Sequence, residues 1–122
     1  FCKYLVENGI LAAAGHTDAK YEDMKTGIEN GMNLVTHLYS ATSTVTRNMG
    51  FRSLGVIESA FLRDELYVEI IADGKHLPYD LIKMIIKIKF VSTYMNIFCS
   101  ISYTHNFMIA SKGNIFISTR WT

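Results

Sequence analysis

The residues best placed to do chemistry are three histidines, His16, His37 and His76, spaced along the chain. Each follows or ends a short apolar run of the buried-strand type: residues 10–14 before Gly15-His16-Thr17, residues 33–38 carrying Thr36-His37, and residues 66–72 before Asp73-Gly74-Lys75-His76. Parallel strands all leave their carboxyl ends on one side, so three imidazoles placed this way share one rim. Neutral imidazole is the commonest side-chain ligand of zinc and also suits iron, cobalt and nickel. Two strand-end histidines and one carboxylate make a three-ligand site with a position left for water. The metal lowers the pKa of that water far enough to give hydroxide at neutral pH. A single histidine after a strand is more often a hydrogen-bonded structural residue. Three at successive strand ends weigh against that reading.

Two further groups bear on chemistry. Arg47 and Arg52 lie in a stretch, residues 39–54, with Ser, Thr, Asn and Gly but little periodicity, which reads as a long loop. A guanidinium fork matches phosphate, so the pair suits an anionic ligand, and equally a solvated loop. Gly74 lets the backbone approach a ligand, or simply makes a turn. The sequence has no GxGxxG, no P-loop and no GxSxG elbow. His105 is given no role.

The elements that must position these residues alternate. Residues 1–8 read as the tail of a helix ended by Gly9. Asp18 is expected to cap a second helix, with Glu22 and Asp23 in its first turns and Tyr21, Met24 and Ile28 on one buried stripe. Tyr4 and Met24 read as core. Residues 56–62 read as a short helix. Pro78 opens a last one, along which Leu81, Ile82, Ile85, Ile86 and Lys89 keep helical spacing. Lys83, Lys87 and Lys89 fill its C-terminal half, where the helix dipole favours positive charge. Such alternation predicts an α/β protein with a parallel sheet and helical crossovers.

The character changes at residue 90. Residues 91–122 hold no acidic residue and two basic ones, Lys112 and Arg120. Residues 1–89 therefore read as one segment and residues 90–122 as a divergent tail. The tail is either a β-rich end of the same domain, with a strand at 114–119, or the product of a frameshift or read-through.

Composition bounds the function. The 122 residues are 49% hydrophobic and 19% charged, which excludes a disordered or disulfide-dense chain. A net charge of +1 gives no general grip on nucleic acid or anionic lipid. Residues 90–111 carry no Asp, Glu, Lys or Arg, but Ser, Thr and Asn interrupt them, so no membrane span is expected. Phe1 is followed by no basic-then-apolar leader, so no signal peptide is expected. Two distant cysteines, Cys2 and Cys99, fit a reduced, cytoplasmic setting.

Three motifs then stand together: Gly15-His16-Thr17-Asp18-Ala19, Thr36-His37-Leu38-Tyr39-Ser40-Ala41 and Ile70-Ile71-Ala72-Asp73-Gly74-Lys75-His76. In this order they resemble N-acetylglucosamine-6-phosphate deacetylases of the amidohydrolase superfamily, over residues 1–89. The resemblance implies a partial (β/α)8 barrel with parallel strands and outer helices. It implies one divalent metal, zinc or iron, held by His16 and His37, and an amino-sugar phosphate substrate. It implies substrate contacts at Ser40, Ala41, Asp73, Gly74 and His76, and at Arg52 toward the phosphate, commonly across a homodimer; Arg47 is the rival of Arg52. Ser40 stands where the family usually has Asn. Arg52-Ser53-Leu54-Gly55 stands where it has Arg-Glu-Pro-Gly. The implied reaction is amide hydrolysis, with an aspartate on a later strand as general base and then general acid. No Asp follows Asp80, and the family's metal-binding Glu would precede Phe1. The isolated chain is therefore expected to be inactive. The alternatives are an inactive remnant or a different metal-dependent amidohydrolase.

Overall fold

A computed structural model describes residues 1–89 and the backbone of residues 90–91 and 97–100. In chain order the elements are α1 (Cys2–Glu7), β1 (Ala13–Ala14), α2 (Tyr21–Glu29), β2 (Leu34–Val35), β3 (Thr46–Asn48), β4 (Phe51–Ser53), α3 (Val56–Leu62), β5 (Tyr67–Ile71), α4 (Tyr79–Val91) and β6 (Ile97–Ser100). Four of the strands form one sheet in the order β1-β2-β5-β6, and every pairing is parallel. Spatial order follows chain order, with a helix in each crossover. A barrel wall is wound this way, whereas a doubly wound sheet reverses direction partway. Among the described residues the sheet is open, with β1 and β6 as its edges.

The core follows from strand alternation. In β5, Val68 and Ile70 are fully buried, while Tyr67, Glu69 and Ile71 point to the opposite face. Val68 and Ile70 join one apolar cluster with Val35 of β2, Met24 of α2, Val56, Ile57 and Ala60 of α3, and Ile82 and Ile85 of α4. Each of the Val, Ile and Met side chains contributes about 1.5–3 kcal/mol by leaving water. The expected helix at 56–62 and the strand at 66–72 are both present.

Three details differ from the sequence expectations, and one goes beyond them. First, α2 starts at Tyr21, not after Asp18. Residues 17–20 are engaged across the fold: Thr17 bridges Thr42, Lys20 bridges Gly55, and Tyr21 N–H donates to Leu54 O at 3.0 Å. The helix end is instead closed by Asp23, which accepts from Lys20 N–H at 2.9 Å. Second, residues 46–53 form an antiparallel hairpin rather than a loop. Its two-residue turn, Met49-Gly50, has positive φ at both positions (48° and 89°), which matches the twist of the strands. Third, Tyr4 is exposed: α1 buries none of its residues. Beyond the expectations, Lys89 on the apolar stripe of α4 is fully buried. It is 1% exposed, and its Nζ donates to Ala60 O at 2.8 Å and Arg63 O at 3.2 Å, closing the C-terminal end of α3. Burial pulls its ammonium below the ordinary lysine range, with Asp64 and Glu65 opposing that shift. The expected strand at 114–119 and His105 lie outside the described residues. Among the described residues no helix is long and apolar enough to cross a membrane.

Candidate functional site

His16 and His37 each stand two residues past a strand, β1 and β2, which are neighbours in the sheet. Their rings lie 4.7 Å apart, centre to centre, tilted by 46°. Both residues are left-handed, φ 46° and 35°, a conformation that costs a non-glycine residue about 1–3 kcal/mol. The surroundings enforce it. Thr36 N–H donates to Ala14 O at 2.9 Å, and Leu38 N–H donates to Glu69 O at 2.8 Å, so the turn is held from β1 and from β5. Glu69 adds its carboxylate: Oε2 accepts from the Thr36 hydroxyl and, at 3.4 Å, from His37 N–H. Gly15 permits the approach, because a Cβ there would overlap Thr36 Cγ2 and stand 3.4 Å from His37 Cε1. His37 Nδ1 is buried with no hydrogen-bond partner. A ring nitrogen left bare in this way is open to a cation or a bound ligand.

The third histidine belongs to the loop after β5. Asp73 Oδ1 accepts from Lys75 N–H at 2.9 Å and His76 N–H at 2.8 Å, and Oδ2 lies 2.8 Å from His76 Nδ1. The backbone N–H of His76 above all, then that of Lys75 and the imidazole, hold the Asp73 carboxyl at about 2, below its usual 3.8, although burial opposes the shift. Gly74 makes the turn at φ 73°, and a Cβ there would lie 3.1 Å from the Tyr79 ring. Since β5 neighbours β2, this loop leaves the sheet at the same end as His37.

Ser40 and Ala41 follow His37 closely. Ser40 N–H is spent on His37 O at 2.8 Å, and Ala41 is exposed in a left-handed conformation, φ 50°. Arg47 and Arg52 are exposed and directly opposite each other across the β3–β4 hairpin. Like charges facing across strands repel, and an anion lying between them would relieve that repulsion. The hairpin is a sheet of its own, so the arginines and the histidines are carried by separate elements.

Sequence reading missed Glu69 and the reason for Gly15. Glu69 had a signal: it is the one charged residue in a run, Leu66 to Ala72, that is otherwise apolar or aromatic. Gly15 had none, since its contact lies on another strand. Among the described residues no third His, Cys, Asp or Glu joins His16 and His37 in a metal-holding group.

Parallel strands in chain order, helical crossovers and histidines at the carboxyl ends define the class: an α/β protein with its candidate site in the βα loops. No protein-family model matches the chain. It is 36% identical over 84 residues to the N-acetylglucosamine-6-phosphate deacetylase of Haemophilus influenzae, covering 69% of this chain and 21% of that protein. It is also 36% identical over 75 residues to the N-acetylgalactosamine-6-phosphate deacetylase of a Shewanella species, covering 62% and 18%. The crystal structure of N-acetylglucosamine-6-phosphate deacetylase from Pasteurella multocida superimposes with a TM-score of 0.68 at 30% identity, over 80% of this chain and 24% of that one. The chain thus resembles a segment of N-acetylglucosamine-6-phosphate deacetylases, as its three motifs indicate, and spans about a fifth of the length of the curated relatives it matches.

Proposed function

We propose that this chain is part of a metal-dependent amidohydrolase that removes the acetyl group of an N-acetylhexosamine 6-phosphate. In this reading N-acetylglucosamine 6-phosphate gives glucosamine 6-phosphate and acetate. The observation that carries the reading is the imidazole pair at 4.7 Å. Two imidazoles sharing one ion at about 2.05 Å, with a roughly tetrahedral angle, place their ring centres about 5 Å apart. The bare, buried Nδ1 of His37 fits the same account.

In this proposal His16 and His37 hold one divalent ion, zinc or iron, and a carboxylate from outside residues 1–122 completes the set. A bound ion of this kind supplies hydroxide at neutral pH. Ser40, Ala41, Gly74 and His76 line the amino sugar, and Asp73 belongs to the same loop. Arg52 takes the phosphate, with Arg47 opposite it as a second donor. The remaining parts of the proposal are a complete (β/α)8 barrel, a homodimer that carries Arg52 to its neighbour's site, and a cytoplasmic setting. The 122-residue chain alone is expected to release no acetate, since its sequence has no Asp beyond Asp80 to act as the proton carrier.

A chimera tests this. The matching 84-residue segment of the Haemophilus influenzae relative is replaced by this chain's residues. Acetate release from N-acetylglucosamine 6-phosphate and N-acetylgalactosamine 6-phosphate is then measured with added zinc or iron. The expected result is metal-dependent release that falls about a hundredfold or more in His16→Ala or His37→Ala. A folded, active chimera indifferent to both substitutions would refute the proposal. The ratio of the two rates assigns the sugar.

A further inference from the structure

We propose that Asp73 is a positioning residue rather than a ligand contact: its carboxylate fixes the His76 ring as the Nδ1–H tautomer, so that Nε2 presents a bare lone pair to a ligand's hydroxyl or amide N–H.

The argument begins with acceptor capacity. A carboxylate has about four lone-pair sites. Asp73 gives three of them to this chain's own donors, Lys75 N–H, His76 N–H and the His76 ring. Its side chain is 7% exposed, so little of it is open to a ligand. An ionised carboxylate accepts and never donates. The nitrogen 2.8 Å from Oδ2 must therefore carry the hydrogen, and that nitrogen is Nδ1. In the neutral ring the lone pair then sits on Nε2, which has no protein partner among the described residues. The His76 side chain is 53% exposed, so the ring is accessible while its tautomer is held from behind. A carboxylate that fixes an imidazole through Nδ1–H and frees Nε2 for work is the orienting device of hydrolytic triads. The turn supplies rigidity, because Gly74 at φ 73° lets one carboxylate reach both following N–H groups.

This inference rests on the deacetylase reading only for the identity of the donor, a hydroxyl or amide of an amino sugar. The neutral ring accepts from that donor. The protonated ring donates through the same atom.

The test is long-range proton–nitrogen NMR on the full chain, labelled with nitrogen-15 at histidine, at about pH 8, above the ordinary histidine pKa. His76→Gln identifies the His76 signals. The expected wild-type spectrum has a protonated Nδ1 and a bare Nε2, opposite to the tautomer a solvated histidine favours. In Asp73→Asn the amide oxygen keeps the two backbone donors and its NH2 faces Nδ1, so the ratio reverses toward Nε2–H. A wild-type majority of Nε2–H, or an unchanged ratio in Asp73→Asn, would overturn the proposal. If Asp73→Asn does not fold, the wild-type ratio alone decides. The expected tautomer together with a chimera that fails for lack of deacetylation would sink the sugar reading and leave the role of Asp73 standing.

Discussion

Gly15→Ala isolates the contact that brings the two strand-end histidines together. The added methyl would overlap Thr36 Cγ2 and sit 3.4 Å from His37 Cε1. Carbon pairs are comfortable at about 3.5–4.0 Å, so something must move. The Thr36 side chain cannot turn away freely, because its hydroxyl is bonded to Glu69. Turning it gives up a hydrogen bond to a charged group, worth about 1.5–3 kcal/mol. Moving the strands instead costs an overpacking strain of about 1–3 kcal/mol. Either route gives a loss near 2 kcal/mol, read as a lower urea midpoint at unchanged slope. Thr36→Ser removes Cγ2 and keeps the oxygen on Glu69. The double variant Gly15→Ala/Thr36→Ser is therefore expected to regain most of the loss, with a coupling of about 1 kcal/mol or more in a double-mutant cycle. A single variant within about 0.5 kcal/mol of wild type, or a double variant no better than the single one, would show that this contact does not set the approach of β1 and β2.

Two other outcomes follow from groups the fold has displaced from their ordinary chemistry. Lys89→Ala is expected to cost about 3 kcal/mol, because it removes a buried stem and leaves the Ala60 and Arg63 carbonyls short of a donor; Lys89→Met keeps the stem and is expected to cost less, both by urea unfolding. Burial lowers the Lys89 pKa in the folded state, so the unfolded chain binds more protons in the window below 10.5, and stability rises as pH climbs through it. That rise is expected to vanish in Lys89→Met. Asp73 gives the same sign at low pH, but for a different reason: burial penalises the charged form of Lys89, whereas hydrogen bonds hold the charged form of Asp73. Its folded value of about 2 lies under 3.8, so its contribution is present above 3.8 and fades as pH falls toward about 2. The bare shift corresponds to about 2.4 kcal/mol, and solvent screening at this surface loop reduces it to about 1. Acid unfolding of wild type against Asp73→Asn reads the difference, and parallel curves would contradict it.

Strand and helix periodicity, turn chemistry and the placement of histidines after apolar runs are local signals, and they carried a large part of this protein. They place a helix over residues 56–62, where α3 forms, a strand over residues 66–72, within which β5 forms, and the histidines at carboxyl ends. The hairpin stayed hidden because its strands are three residues each and its turn is Met49-Gly50 rather than the Asn-Gly pair that usually signals one.

The sequence by itself determined which residue types stand at the strand ends, since that depends on neighbours along the chain. Tertiary structure alone decided what those residues touch. Nothing near Glu69 in sequence says that its carboxylate meets Thr36 and His37, because the contact arises only when β5 pairs with β2. The spacing of Ile82, Ile85 and Ile86 puts Lys89 on the inward stripe of α4, but nothing near it says what holds its ammonium, because those carbonyls end a different helix. Periodicity reports which face of an element turns inward, whereas the partner waiting on that face is set by the packing of segments distant in sequence.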